Sequence, residues 1–279
     1  MAIDYRKTYR IDYRKRPREA AAPGSAAAAA PAPASGLASA GAPAPGVSLE
    51  KVADRAPGLV SLFKAASVSL VKNRISGQRA AVYLVLDRSG SMRRYYRDGS
   101  VQHLAEQTLA LAANLDDDGV VPVVFFSTEV DGVAEVGLDA YQGRIGALHE
   151  SMGHMGRTNY HLAMQAVIDH YQASGAADPA FVVFQTDGSP SSRTAAEHVL
   201  CTAARLPIFW QFVGFGDDEF RFLRRLDELP APQRRLVDNA GFFAAGDAPR
   251  SIPDAVLYDE LLAEYPQWLT AARAAGVLA

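Results

Sequence analysis

The sequence predicts an α/β fold with a doubly wound, mostly parallel central sheet and helices on both faces. Three observations predict it. Short β-branched or aromatic runs that are apolar on both faces recur along the chain, as strands buried in a parallel sheet do. Amphipathic stretches with apolar residues three and four apart lie between them. The connections are short, which implies right-handed crossover units in one sheet rather than separate domains.

Residues 1–46 stand apart from the rest. Met1 to Glu19 is basic and tyrosine-containing, and Ile3-Asp4-Tyr5-Arg6-Lys7 recurs as Ile11-Asp12-Tyr13-Arg14-Lys15. The unit is too short for a solenoid repeat. Two copies of a short linear motif would gain from effective concentration, and a solubilising disordered tail is the plainer reading. Ala20 to Gly46 is almost entirely Ala, Pro, Gly and Ser. It cannot bury enough apolar surface to offset the entropy of ordering and reads as a flexible linker.

The folded region is expected over 47–279. Val47-Ser48-Leu49-Glu50 reads as a short extended arm. Leu59, Leu62, Phe63, Ala66 and Leu70 have helical spacing and predict a helix over Leu59–Ile75. Ala81–Leu86, Val120–Phe126, Phe181–Gln185 and Ile208–Val213 read as buried parallel strands. Thr128–Gly137 reads as a short edge strand flanking a turn at Asp131-Gly132, and Leu236–Phe243 as a further strand. Helices are expected near 100–116, 139–150, 160–173, 191–205 and 218–228. Two more close the chain. Asp254–Glu264 is the first, and the second has Pro266 in its first turn and Gly276 at its cap.

Composition excludes several classes. The 279 residues carry a formal net charge of −3, which gives no general case for nucleic acid or an anionic membrane as partner. One cysteine, Cys201, permits no internal disulfide and fits a reducing compartment. No apolar stretch approaches the roughly 20 residues of a membrane span, and the charged start has no signal-peptide core. Cytoplasmic is the expected location.

The chemistry concentrates in Asp87-Arg88-Ser89-Gly90-Ser91-Met92, directly after the first strand. One carboxylate and two hydroxyls at alternate positions are hard oxygen ligands suited to a divalent cation such as Mg²⁺. Gly156-Arg157-Thr158-Asn159 opens a helix, and Thr186-Asp187-Gly188 follows the fourth strand. Ligands of open parallel sheets bind beyond the carboxyl ends of the strands, so Asp87, Thr158 and Asp187 are expected to converge there.

Asp87-x-Ser89-x-Ser91, a Thr in a Gly-x-Thr loop and a later Thr-Asp-Gly resemble the metal-ion-dependent adhesion site of von Willebrand factor A (vWA) domains, over roughly 80–245. The resemblance implies that Ser89, Ser91 and Thr158 hold the metal through hydroxyls, Asp87 and Asp187 directly or through water, and that Gly90 keeps the turn tight. Mg²⁺, Mn²⁺ or Ca²⁺ would be the cofactor. It further implies a protein partner whose acidic side chain completes the metal's coordination. Val47-Ser48-Leu49, Val-Ser-Leu-Val-Lys at 68–72 and Glu264-Tyr265-Pro266-x-Trp268-Leu269 resemble the vWA proteins of bacterial tellurium-resistance and stress-response gene clusters. That implies a component of a multiprotein, metal-linked assembly, which can be membrane-associated.

Arg88 departs from the pattern, since relatives usually carry a small residue there. Beside a cation it would repel unless it points outward, where Arg93, Arg94, Tyr95, Tyr96 and Arg97 would extend it into a basic, aromatic rim suited to an acidic surface. The alternatives are a metal-free scaffold in which Asp87 and Asp187 only brace loops, or a Mg²⁺-dependent hydrolase or phosphoryl-transfer enzyme. Haloacid-dehalogenase-type phosphatases need a second carboxylate where this chain has Ser89, and no nucleophile elbow is present, so no enzyme is expected. His149, His154 and His161 read as solvated loop and helix histidines, Cys201 as a small core residue, and Asp116-Asp117-Asp118-Gly119 as a solvated turn. Gly214-Phe215-Gly216-Asp217-Asp218 reads as a strand end followed by a helix cap.

Overall fold

The computed structural model describes residues 46–279; the tail and the linker expected over 1–46 lie outside the described residues, apart from Gly46. Six strands form one sheet: β1 (Ala81–Asp87), β2 (Val120–Phe126), β3 (Val130–Gly137), β4 (Ala180–Thr186), β5 (Ile208–Phe215) and β6 (Ala240–Gly246). Their order is β3-β2-β1-β4-β5-β6. All neighbours are parallel except β2 and β3, which pair antiparallel at one edge.

The sheet is buried on both faces because its strands alternate between two cores. In β1, Val82, Leu84 and Leu86 enter one core and Tyr83 and Val85 the other. The first core receives α2 (Val60–Lys72), α4 (Ser100–Leu115), α9 (Asp254–Leu262) and α10 (Tyr265–Ala274). The second receives α6 (Tyr160–Ser174), α7 (Arg193–Ala203) and α8 (Arg221–Asp227). Helix α4 is buried along most of its length, and Asn114 Nδ2 donates to the Phe63 carbonyl of α2 at 3.1 Å.

Several boundaries differ from expectation. Val47–Glu50 is not an extended arm. The Ser48 hydroxyl accepts from the Lys51 N–H at 3.2 Å and caps α1 (Leu49–Arg55), as Ser commonly does. The edge turn is not at Asp131-Gly132, which lie inside β3. It is at 127–129, where the Ser127 N–H reaches the Glu129 carbonyl at 2.8 Å. Helix α5 (Arg144–Ser151) starts later than 139, and α3 (Arg93–Arg97) was not anticipated. The last strand starts at Ala240 rather than Leu236, because the guanidinium of Arg235, itself buried, donates to the Leu229 carbonyl at 3.0 Å and to the Asp227 carbonyl and holds that stretch as a loop. Gly276 follows α10 with φ +70°, the left-handed cap that glycine adopts without steric cost. Among the described residues no helix is long and apolar enough to cross a membrane.

Candidate metal centre

Strand order reverses at β1, which has β2 on one side and β4 on the other. The carboxyl ends of β1 and β4 therefore bound the crevice where open α/β sheets hold ligands. Asp87 is the last residue of β1 and is fully buried. Its Oδ1 accepts the Ser89 N–H at 2.6 Å and its Oδ2 accepts the Thr186 hydroxyl at 2.6 Å. Tyr160 OH donates to Thr186 Oγ1 at 3.0 Å and also contacts the Gly188 carbonyl. Tyr96 OH donates to the Asp87 carbonyl at 3.0 Å. Asp87 is thus held directly by Ser89, Thr186 and Tyr96, and through Thr186 by Tyr160.

Asp187, one residue past β4, reaches the same point. The Ser91 hydroxyl donates to Asp187 Oδ1 at 2.9 Å, Ser89 Oγ lies 3.5 Å from it, and the two serine oxygens are 3.2 Å apart. Four of the five expected residues thus form one hydrogen-bonded set. The fifth, Thr158, is brought near by backbone. Ser89 and Gly156 form an isolated parallel bridge and the Gly90 N–H donates to the Gly156 carbonyl at 3.2 Å. Among the described residues no hydrogen bond links the Thr158 hydroxyl to the other four; its backbone pairs instead with Ser191, at 2.7 Å from the Ser191 N–H to its carbonyl.

The charges suit a cation. Burial pushes the Asp87 carboxyl up to about 7, against the Thr186 and Ser89 hydrogen bonds and with the Asp187 charge adding to the rise. Burial also raises Asp187. Two desolvated carboxyls and adjacent hydroxyls make a hard oxygen set. No three His, Cys, Asp or Glu side chains gather as a metal-binding group among the described residues, so hydroxyls would have to complete any shell. The donor set fits a divalent cation.

Arg88 corrects the expectation drawn for it. It is neither outward nor at the cation's place. It is 1% exposed and turned under β3, where it pairs with Asp131 at 2.7 Å, donates to the Gly153 carbonyl at 2.8 Å and donates from Nε to His149 Nδ1 at 3.1 Å. Nor is there an aromatic rim. Tyr95 is buried and Tyr96 is half-buried, stacked on His149 with ring centroids 4.0 Å apart. Only Arg93, Arg94 and Arg97 of that group are exposed. His149 is accordingly a half-buried partner of Arg88 and not a fully solvated histidine. His154 is exposed, and His161 is half-buried with Nδ1 unpartnered among the described residues. Cys201 is half-buried against the second core. Asp218 accepts from the Phe220 N–H ahead of α8.

Residues to which the sequence reading gave no part in holding the site do hold it together: Thr186, Tyr160 and Tyr96. Thr186 stands inside the Thr-Asp-Gly triplet and was open to that reading. The two tyrosines carry no local signal, because their partners lie on other elements.

Comparison with known structures finds distant likenesses. Proximal thread matrix protein 1 of the mussel byssus is 16% identical over 66% of this chain and 47% of that one, with a TM-score of 0.46; the chain spans about half the length of the mussel protein. Manganese-loaded Plasmodium vivax TRAP is 16% identical over 66% of this chain and 74% of that one, at a TM-score of 0.43. At that distance the likenesses say nothing about what this chain binds. The uncharacterized protein YcbR of Bacillus subtilis (strain 168) is 34% identical over 219 residues, 77% of this chain and 88% of that protein. The vWA-TerF-like model, described as the vWA found in the TerF C terminus, matches residues 79–278. With most of its length under that model and a relative of this identity along the same stretch, the chain belongs to the vWA-TerF-like family of vWA domains.

Proposed function

We propose that this protein is a metal-dependent protein-binding module. A divalent cation, Mg²⁺ or alternatively Mn²⁺ or Ca²⁺, would be held by the hydroxyls of Ser89, Ser91 and Thr158 and by Asp87 and Asp187, directly or through water, and would supply an open coordination position to an acidic side chain of a partner protein. The observation that carries this reading is the hydrogen-bonded convergence of Asp87, Ser89, Ser91 and Asp187 at the switch point of the sheet. The protein's own contribution is preorganisation. Thr186 and Ser89 orient the Asp87 carboxylate, and Ser91 orients Asp187. Arg88 is kept away from the carboxylates by its pairing with Asp131.

The module is proposed to work in a bacterial tellurium-resistance or stress-response assembly, a link that the family name suggests, and to do so in the cytoplasm or at a membrane-associated complex. The reading as a phosphoryl-transfer enzyme is weaker. The basic side chain nearest in sequence to Asp87 is Arg88, which is engaged under β3.

The test is thermal unfolding with EDTA, Mg²⁺, Mn²⁺ or Ca²⁺, for wild type, Asp87→Ala and Ser91→Ala. A cation at 100 times its dissociation constant adds about 2.7 kcal/mol to native stability. Wild type is expected to gain stability with metal and both variants to gain little. Ser91 is exposed, so its variant separates lost metal binding from a damaged core. Equal gains in all three chains would sink the reading.

A further inference from the structure

A second recess lies at the opposite, amino end of the sheet, where the metal centre has no part. Its volume is about 110 Å³, several times the roughly 10–15 Å³ that one water needs. Phe209 at the start of β5, Asp238 just before β6, and Glu264, Gln267 and Trp268 at the start of α10 line it.

Its polar lining is acidic. Asp238 pairs with buried Arg235 at 2.6 Å, and the charges of Asp227 and Glu264 act on the same guanidinium. Three carboxyl groups thus surround one guanidinium. Burial, and then repulsion from Asp227 and Asp238, pushes Glu264 up to about 7. A cation placed in the recess would relieve that repulsion.

A buried polar atom without a partner among the described residues lies behind the Glu264 wall of the recess. Gln211 on β5 is 1% exposed, and its Oε1 has no hydrogen-bond partner among the described residues. Gln211 Oε1 and Glu264 Oε1 flank the space over Gly241, 2.6 and 3.2 Å from where a Cβ would stand. A buried acceptor without a donor is costly, and this one faces the carboxyl that walls the recess. The rings of Phe209 and Trp268, with centroids 5.5 Å apart, add aromatic surface of the kind that attracts cations. With two aromatic rings beside the carboxyls, the fit is to an organic cation.

The chain itself carries such a cation. Residues 1–45 hold seven basic and three acidic side chains, net +4, which leaves 21 basic against 28 acidic, net −7, for 46–279. The described chain starts at the same end of the sheet as the recess. The Gly46 N–H donates to the Asn114 carbonyl at 3.0 Å, and Val47 to Ala113, near the start of β1. From β1 to β6 is three strand spacings, roughly 15 Å. The 26 residues of the uncharged stretch 20–45 have a contour length of roughly 85–95 Å, well beyond that distance.

We propose that this recess binds an arginine or lysine side chain, and that its occupant is the Ile-Asp-Tyr-Arg-Lys repeat of the same chain. The acidic wall takes the cationic head, Gln211 lies behind the Glu264 carboxyl, and two copies of the repeat raise the local concentration of the ligand.

The test is a calorimetric titration of a synthetic peptide of residues 1–19 into the full chain carrying Gln at positions 6, 7, 14 and 15. Saturable binding is expected there, and at least roughly tenfold weaker apparent binding to wild type, whose own repeat competes. Glu264→Gln with Asp238→Asn is expected to weaken binding roughly tenfold or more. Gln267→Lys, at an exposed position on the lip, supplies a cation of its own and is expected to do the same without disturbing the core. No binding of the peptide overturns the proposal, as does binding that Gln267→Lys leaves unchanged. Equal binding by an unrelated arginine-containing peptide would transfer the site to a separate partner and overturn the assignment to this chain's repeat.

Discussion

The Arg88 guanidinium spans the gap between the first site loop and the β3 edge, bonding Asp131, the Gly153 carbonyl and His149 while 1% exposed. Removing one partner of a buried ion pair typically costs about 3–5 kcal/mol, because the other charge is left unpaired. Arg88→Ala is therefore expected to lose about that much in urea unfolding. Arg88→Lys is expected to lose less, since it keeps the charge and forfeits the fork. Burial and the Arg88 charge hold His149 below its usual range. The unfolded chain then takes up the proton first, so this contribution is complete above about pH 6.5 and is lost as pH falls through the depressed folded value. His149→Gln, which keeps an acceptor for Arg88, is expected to flatten the stability profile below about pH 6.5. Asp87, Ser89, Ser91 and Asp187 were legible in sequence because each lies within a few residues of a strand end. The direction of Arg88 was not. Its ion-pair partner is 43 residues away, and which side of the turn it takes depends on the antiparallel return of β3.

Loops joined across the sheet set the geometry at the next scale. Gly156 lies so close to the loop after β2 that an added Cβ would stand 2.3 Å from Thr128 Oγ1 and 2.9 Å from Ser127 Oγ. Gly156→Ala is expected to push its loop off Ser89 and weaken metal binding roughly tenfold, at a stability cost of about 1–3 kcal/mol; metal titration and urea unfolding read the two effects separately. The elements themselves followed from pattern wherever apolar runs were long. Boundaries failed where one side chain decided them. Ser48 turned an expected arm into a capped helix, and Arg235 delayed β6 by pinning apolar Leu236 and Val237 in a loop.

For the whole molecule, the parallel order places the candidate metal centre at one end of the sheet and the acidic recess at the other, with a core on each face between them. Strands β1 and β4 are central, while β3 is an edge. Amide exchange is expected to be slowest in β1 and β4 and faster in β3. Added metal is expected to slow exchange in 88–92, 156–159 and 187–191 together, and protection confined to one loop would count against a shared site. Parallel topology was legible because every interior strand is apolar on both faces. The strand order that makes β1 the switch point was not, since it depends on crossovers that no single segment encodes.

The backbone bridge between Ser89 and Gly156 has a consequence for protein engineering. It splices two segments 67 positions apart into one mechanical part, so neither is a portable cassette. A chimera that imports 88–98 from a relative while retaining the native 153–159 would mismatch the splice and lose the geometry despite carrying every oxygen. The transplantable unit is the pair.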